Sequence, residues 1–152
     1  MLNKYLLCSG VGKGSFPLTS FDNALYNSGI ANYNLVKVSS ILPVKMELNT
    51  SVDIFEGSVL FTAYSTKTTI KRNEIISAAV AVGIPKDTEK VGVIMEFSGS
   101  CNKQEAETKI TSMVKEAMSL RNYEIKEIIC QAIEAKGSDK NYTTVFAALA
   151  MW

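Results

Sequence analysis

The chain has 152 residues, of which 47% are hydrophobic and 20% charged, and its net charge is +1. This length and composition exclude a disordered chain and predict a single domain, residues 1–152, with a hydrophobic core of its own. The balanced charge gives no basic excess, so we expect no nucleic-acid partner. The sequence contains no histidine, which excludes Ser-His-Asp triads, Cys-His dyads and His-ligated metals.

The cysteines and the apolar segments give information about the compartment. Cys8, Cys101 and Cys130 are odd in number and far apart, so they fit neither a disulfide framework nor a zinc site. We expect three free thiols in a reducing compartment and no metal. The N-terminal stretch is too short and polar for a secretory signal, and the longest apolar run, Val145–Trp152, is much shorter than the roughly 18 residues of a spanning helix. These features predict a cytoplasmic protein without a membrane partner.

The periodicity of apolar residues predicts more strands than helices. In chain order the predicted elements are a strand Lys4–Ser9, a glycine-rich turn Gly10–Ser15, a helix Phe21–Ser28, a strand Asn34–Ser40, a strand or hairpin Val59–Ile70, a short helix Glu74–Val82, a strand Lys90–Phe97, a helix from Asn102 to about Arg121, a strand Tyr123–Ala135 and a strand Asn141–Trp152. Neighbouring strands at hairpin-like spacing favour antiparallel pairing. The predicted class is α+β, with helices covering the sheets.

Local signals mark several of these element ends. Thr19 or Ser20 is expected to cap the first helix, and Gly29 to end it. Asn102 and Glu105 have the spacing of a capping box. The alternation of the strand Tyr123–Ala135 slips near Glu127–Ile129, which indicates a β-bulge.

The glycine-rich segment Gly10–Ser15 invites comparison with phosphate-binding loops. It lacks the Walker spacing because Gly12-Lys13 is followed by Gly14, and it lacks GxGxxG because position 15 is serine. The prediction is a flexible turn, and a role in covering a ligand stays open.

Two carboxylates are candidates for chemistry. Glu96 lies in an apolar strand on the face of Gly92 and Ile94. If that face is buried, desolvation raises the pKa of Glu96 and makes it a proton donor near neutrality, whereas a strand-end position would leave it in water. Asp22 falls in the first turn of a predicted helix, where the helix dipole alone favours an acidic residue.

The pair Ser39-Ser40 ends a predicted strand just before Ile41-Leu42-Pro43. Two adjacent serines are common and carry no meaning alone. One chemistry nevertheless uses a serine at such a position in a protein without histidine. Its hydroxyl attacks the preceding carbonyl, β-elimination cleaves the chain, and the dehydroalanine that remains hydrolyses to a pyruvoyl group, which can withdraw electrons from a substrate amine adduct as pyridoxal phosphate does.

At these residues the sequence resembles the pyruvoyl-dependent arginine decarboxylase family. The similar segments run through most of the chain in order, and the Asn-x5-Ser-Ile-Leu-Pro and Ile-Met-Glu-Phe motifs are specific only together. They comprise 17–30, 32–43, 57–64, 76–79, 84–87, 92–97 and 146–152.

The resemblance implies a role for each matching residue. The chain would cleave between Ser39 and Ser40 into a β chain, 1–39, and an α chain, 40–152, whose first residue Ser40 becomes the pyruvoyl group. Asn34 would donate to the oxyanion formed during cleavage, and Glu96 would act as general acid. The substrate contacts would come from Asp22, which pairs with the guanidinium, and from Leu25, which packs on the aliphatic part.

The resemblance also implies an architecture and a reaction. The fold would be a multilayer α/β/β/α sandwich with mainly antiparallel sheets, assembled as a trimer or hexamer of αβ units with active sites between neighbouring subunits. L-Arginine would be decarboxylated to agmatine and CO2 through a Schiff base, for polyamine supply or acid resistance. The sequence departs from the family pattern at Phe61–Ser65, where a pocket wall could differ.

Three other hypotheses stay open at this point. The same chemistry could act on lysine, ornithine or histidine. The chain could remain an unprocessed, non-catalytic homologue. Ser40 could instead be the nucleophile of an amide hydrolase, although the sequence shows no base that would activate it.

Overall fold

The computed structural model describes residues 1–152 as two helices and nine strands. In chain order the elements are β1 Lys4–Gly14, α1 Pro17–Ser28, β2 Asn34–Lys37, β3 Ile41–Leu42, β4 Glu47–Leu48, β5 Val59–Thr69, β6 Ile75–Pro85, β7 Gly92–Gly99, α2 Lys103–Leu120, β8 Ile125–Lys136 and β9 Tyr142–Met151.

Two sheets and two helices form four layers. The first sheet has the strand order β2-β5-β9-β1-β4 and the second β3-β7-β6-β8. Only the short pairs β1–β4 and β2–β5 are parallel, and every other pairing is antiparallel. The prediction of an α+β sandwich with mainly antiparallel sheets is confirmed.

Apolar side chains fill three separate interfaces between these layers. The facing sides of the two sheets share one core, which includes Val80, Ile94 and Leu149. Helix α1 covers the outer side of the first sheet around Phe146, and helix α2 covers the outer side of the second sheet around Ile110. Each sheet is therefore buried on both faces along its central strands, as in other layered folds.

Glycines on one face of β1 determine how closely helix α1 approaches the strand. A Cβ on Gly10 would lie 2.2 Å from the carbonyl oxygen of Ala24, and one on Gly12 would lie 2.1 Å from that of Ser20. The predicted flexible turn Gly10–Ser15 is wrong, because the strand continues to Gly14. The glycines recur at every second position since only they let the helix backbone touch the strand backbone.

Helix α1 begins four residues earlier than predicted. Pro17 occupies its first turn, Phe16 is the N-cap residue, and the Thr19 side chain bonds back to the Phe16 backbone. Proline is favoured at the first helical position because it needs no intrahelical donor there. The end at Gly29, with φ of 84°, is confirmed.

The predicted helix Glu74–Val82 is the central strand β6. Every residue from Ile76 to Gly83 is buried, because β6 lies between β7 and β8 with α2 on one face and the first sheet on the other. A strand buried on both faces loses its alternation, and its run of small residues then imitates a helix.

Two further signals are confirmed. Asn102 and Glu105 form the capping box of α2. Strand β8 carries a register shift where Glu127 opposes Ile84 and Ile125 opposes Pro85. Lys126 is thus the extra residue of the bulge, next to the predicted position.

Candidate active site

The Ser39–Ser40 peptide bond crosses from one sheet to the other. On its N-terminal side the Val38 amide donates to the Thr62 carbonyl of the first sheet at 3.2 Å, and on its C-terminal side the Ile94 amide donates to the Ser40 carbonyl at 2.8 Å in the second sheet. The predicted single strand Asn34–Ser40 is therefore wrong at its end, since β2 and β3 belong to different sheets. Ser39 is exposed and Ser40 half-buried.

Glu96 faces the layer between the sheets, two residues beyond the strand partner of Ser40. It opposes Val80 on β6 and shares a face with Ile94, both of which belong to the inter-sheet core. Two residues along a strand span about 7 Å, which places Glu96 near the Ser39–Ser40 bond. The side chain is half-buried, so the alternative of a fully solvated strand-end carboxylate is not what the structure shows.

Burial raises the pKa of Glu96, because desolvation disfavours the carboxylate form. The positive charge of Lys37 and a hydrogen bond from the residue's own backbone oppose this shift. The neutral form of Glu96 is thus favoured more than that of a fully solvated glutamate.

Lys37 is a site residue that the sequence reasoning missed. Its ammonium lies 4.5 Å from the centroid of the Tyr64 ring, a distance typical of a cation–π contact. Tyr64 packs in turn on Phe146 and Phe21, with centroid distances of 5.3 and 6.3 Å. The signal available in the sequence was the position of Lys37, two residues before the serine pair.

Asp22 and Leu25 lie on α1, on the outer side of the first sheet. Asp22 is exposed, and it forms no ion pair with a residue of this chain. Asp22 lies in the second turn of α1, so the prediction that it lies in the first turn, where the helix dipole favours an acidic residue, is wrong. Leu25 is only 8% exposed and packs in the core beneath α1, so little of its surface is open to a ligand in one chain.

Asn34 is not brought to the Ser39–Ser40 bond within one chain. Its side-chain Nδ2 donates to the Gly57 carbonyl at 2.7 Å, and its backbone amide donates to Ser58. Four residue steps of extended chain separate Asn34 from Val38, a span of about 13 Å. Asn34 and the serine pair therefore lie at opposite ends of β2.

Apolar side chains are exposed around the edge where the serine pair lies. Val36, Ile41, Val59 and Phe61 have between 37% and 45% of their surface exposed. Val36 opposes Phe61 in the parallel pair β2–β5, so these two form a continuous patch. Phe61 also begins the segment 61–65 that departs from the family pattern.

Neither helix is long and apolar enough to cross a membrane. The chain also holds no group of three His, Cys, Asp or Glu side chains arranged to bind a metal ion.

Fold and site together define a class of protein: a four-layer α/β/β/α sandwich in which the chain passes between its two sheets at a pair of serines, beside a half-buried carboxylate. Residues 4–152 match the sequence profile described as pyruvoyl-dependent arginine decarboxylase. The chain belongs to the pyruvoyl-dependent arginine decarboxylase family, and the resemblance of its motifs to that family is confirmed.

Individual relatives match over nearly the whole chain. The pyruvoyl-dependent arginine decarboxylase of Methanococcus aeolicus is 43% identical over 150 residues, covering 99% of this chain and 90% of the relative. The enzymes of the same name from Methanocaldococcus jannaschii and Pyrococcus furiosus are 37% and 35% identical. The alignment with the Methanocaldococcus jannaschii enzyme covers 99% of this chain and 90% of the relative. The alignment with the Pyrococcus furiosus enzyme covers 96% of this chain and 93% of the relative.

Proposed function

We propose that this protein is a pyruvoyl-dependent decarboxylase that converts L-arginine to agmatine and CO2. The observation that carries the proposal is the position of the Ser39–Ser40 bond, which joins the two sheets at an edge next to Glu96. The family membership and the names of the relatives support the reaction and its substrate.

The proposed maturation uses the chain's own groups. The Ser40 hydroxyl attacks the Ser39 carbonyl and turns the amide into an ester. Elimination then releases residues 1–39 with a carboxylate end and leaves dehydroalanine at position 40. Water hydrolyses this residue to a pyruvoyl group and ammonia, so no external oxidant is needed.

Several groups fit a pyruvoyl group at position 40. The Ile94 amide holds the carbonyl of residue 40, so the new chain end stays fixed in the second sheet. Ser39 is exposed, which leaves room for the other new end to move away. The pyruvoyl ketone supplies the electron sink for loss of CO2.

The chain's own residues have separate tasks in the proposed reaction. Glu96, whose pKa is raised by burial, delivers a proton to the substrate Cα after CO2 leaves. Asp22 pairs with the substrate guanidinium, and Leu25 contacts its aliphatic part. Burial of Leu25 in one chain and the distance of Asn34 from the bond favour a site completed by a neighbouring subunit, in a trimer or hexamer of αβ units.

The decisive experiment is the intact mass of purified protein under denaturing conditions. We expect two chains, 1–39 and 40–152, the larger one carrying a pyruvoyl end that blocks Edman degradation. Ser40→Ala should give one uncleaved chain without decarboxylase activity, while Ser98→Ala, a serine change on β7, should leave cleavage intact. A single chain that nevertheless releases CO2 from arginine would disprove the proposal, and a single inactive chain would favour the non-catalytic homologue.

The substrate is tested by CO2 release from arginine, lysine, ornithine and histidine. Since the segment Phe61–Ser65 departs from the family pattern, another basic amino acid is the second candidate substrate. A preference for one of these over arginine would overturn the arginine assignment and leave the pyruvoyl chemistry standing.

The contribution of Asp22 is tested by Asp22→Asn. We expect KM for arginine to rise about tenfold, because a charged hydrogen bond made in the ground state is lost. Asp139→Asn, which changes an exposed carboxylate in another loop, is the matched control. An unchanged KM in Asp22→Asn would exclude Asp22 as the guanidinium partner.

A further inference from the structure

The loop between β4 and β5, residues 49–58, contains no regular secondary structure, yet it is anchored at Asp53. The two carboxylate oxygens of Asp53 accept separate hydrogen bonds, Oδ1 from the Trp152 indole nitrogen at 2.7 Å and Oδ2 from the Lys4 ammonium. Lys4 begins β1 and Trp152 directly follows β9. Asp53 therefore fastens the β4–β5 loop to two neighbouring strands of the first sheet.

Apolar contacts support this anchor on both sides of Asp53. Val52 and Ile54 pack against the core beneath α1, to which Trp152 also belongs. Apolar packing is not directional, whereas a carboxylate that accepts from two fixed donors also fixes its position along the strands. The hydrogen bonds from Lys4 and then Trp152 lower the pKa of Asp53, so the carboxylate form is the one that the anchor favours.

Further along, the β4–β5 loop is tied to the segment that enters β2. The Tyr33 hydroxyl donates to the Ile54 carbonyl at 3.2 Å. The Asn32 side-chain amide donates to Glu56 Oε1 at 2.8 Å, and the Asn32 carbonyl accepts from the Gly57 amide at 2.7 Å. These three hydrogen bonds join the two segments into one unit.

Asn34 is held by the end of this loop. Its Nδ2 donates to the Gly57 carbonyl at 2.7 Å, and its backbone amide donates to the Ser58 carbonyl at 2.9 Å. Gly57 is the third residue of a turn in which the Ser58 amide donates to the Phe55 carbonyl, and its φ of 85° is one that glycine adopts without strain. Because a carbonyl only accepts, the Asn34 nitrogen must face it, and one N–H of Nδ2 remains for another acceptor.

We propose that Asp53 is a positioning residue for Asn34: by anchoring the β4–β5 loop to β1 and β9, it sets the direction in which Asn34 presents its remaining N–H. The inference rests on the proposed function, with Asn34 as a donor to the oxyanion formed at the Ser39–Ser40 bond. Asn34 lies away from the serine pair of its own chain. Its orientation therefore comes from the loop that holds it, also when the bond it serves belongs to a neighbouring subunit.

The rate of self-cleavage measures this positioning, because a donor acts on an oxyanion only within about 2.7–3.1 Å. Asn34→Ala removes the donor and should slow cleavage about a hundredfold. Asp53→Ala only displaces it and should slow cleavage about tenfold, and it should add nothing in the Asn34→Ala background. Precursor made by pulse-labelled cell-free translation is followed on denaturing gels. Glu107→Ala, which breaks the ion pair with Lys103 on α2, is the matched control and should cleave at the wild-type rate.

A second measurement separates positioning from general stability. In the uncleaved Ser40→Ala protein, NMR follows the exchange with water of the hydrogen-bonded Nδ2 proton of Asn34. Adding Asp53→Ala should speed this exchange about fivefold. The side-chain amide of Asn27, which donates to the Val11 carbonyl at 2.6 Å, is the internal control and should not change. A mere loss of stability would speed the exchange at both asparagines.

Two milder variants keep the test decisive if Asp53→Ala does not fold. Trp152→Phe removes one donor and keeps an aromatic ring, and Lys4→Met removes the other and keeps an aliphatic chain. Each should slow cleavage about two- to fivefold.

Unchanged exchange at Asn34, or equal acceleration at Asn27, would overturn the inference. Cleavage of Asp53→Ala at the wild-type rate would do the same. Absence of cleavage in the wild type would overturn the proposed function, and the exchange comparison would then still decide whether Asp53 orients Asn34.

Discussion

At the scale of single residues, two opposing influences act on Glu96. Desolvation between the sheets favours its neutral form, and the positive charge of Lys37 favours the carboxylate. Desolvation is the larger of the two, so the pKa stays raised. The rise in the pKa of Glu96 thus depends on how deeply the side chain is buried, and Lys37 is the residue that limits it.

The raised pKa predicts a pH-dependent effect of Glu96→Gln on stability. Folding favours the protonated form, so the contribution of Glu96 is fully present below the pKa of the unfolded chain and is lost as pH rises through the higher folded pKa. Glu96→Gln should therefore be more stabilising, relative to wild type, at about pH 8 than at about pH 4. Lys37→Met should make the loss of stability with pH steeper in the wild-type Glu96 background.

Urea unfolding across this pH range measures the free energy of unfolding for each variant. Glu116→Gln, which changes an exposed carboxylate of α2, is the control and should show no comparable trend. If Glu96→Gln and Glu116→Gln change stability equally at every pH, the carboxyl of Glu96 is not desolvated in the folded protein.

Part of the site could be predicted from residues alone. The face of Glu96 followed from strand alternation, because Ile94 on the same side is buried. Lys37 could not be found this way, since an exposed lysine on an edge strand looks like an ordinary solvated residue, and its closeness to Tyr64 depends on the pairing of β2 with β5. The distance of Asn34 from the serine pair was already implied by the predicted strand Asn34–Ser40, because an extended chain separates residues five or six positions apart.

At the scale of elements, two secondary-structure predictions failed, one because of the spacing of glycines and the other because of burial on both faces of a strand. The glycines of β1 look like a turn in sequence, yet they serve a helix that lies directly on the strand. The small residues of β6 look helical because both faces of that strand are buried. Helix α2, with one buried face and a capping box, kept its periodicity and was predicted correctly.

The contact between β1 and α1 predicts a large effect of Gly12→Ala. The new Cβ would lie 2.1 Å from the Ser20 carbonyl oxygen and 2.2 Å from the Ala24 amide nitrogen, and both are backbone atoms that move only with the helix. We expect a loss of about 2–4 kcal/mol in the free energy of unfolding, measured with urea.

The neighbouring change Lys13→Ala provides the control for this prediction. Lys13 is exposed on the other face of the same strand, so its replacement should change stability by less than about 0.5 kcal/mol. Equal effects of the two substitutions would show that α1 does not lie against Gly12.

At the scale of the whole molecule, the proposed cleavage divides the chain unevenly between the sheets. Residues 1–39 contain β1, α1 and β2, all of which belong to the first sheet or cover it. Strand β1 lies between β9 and β4, which come from the rest of the chain. We therefore expect the two fragments of cleaved protein to elute together in native size-exclusion chromatography and to separate only in denaturant.

Uncleaved Ser40→Ala is the comparison for this measurement and should elute at the same native volume. Loss of the 1–39 fragment during native chromatography would contradict the topology described here, because it would leave β9 without one of its two partner strands. The layered class could be predicted from the counts of strands and helices. The division of β2 and β3 between two sheets could not, because their residues are contiguous in sequence.

The insertion of β1 into the middle of a sheet also has a consequence for renaturation. An intact precursor regains its native state in a first-order process, at a rate independent of dilution. Once the bond is cut, the same sheet must be rebuilt from two separate molecules, so recovery becomes second order and fails in dilute solution. The uncleaved chain would thus unfold reversibly, whereas the cleaved protein would be kinetically stable, because its native state persists only as long as it does not unfold.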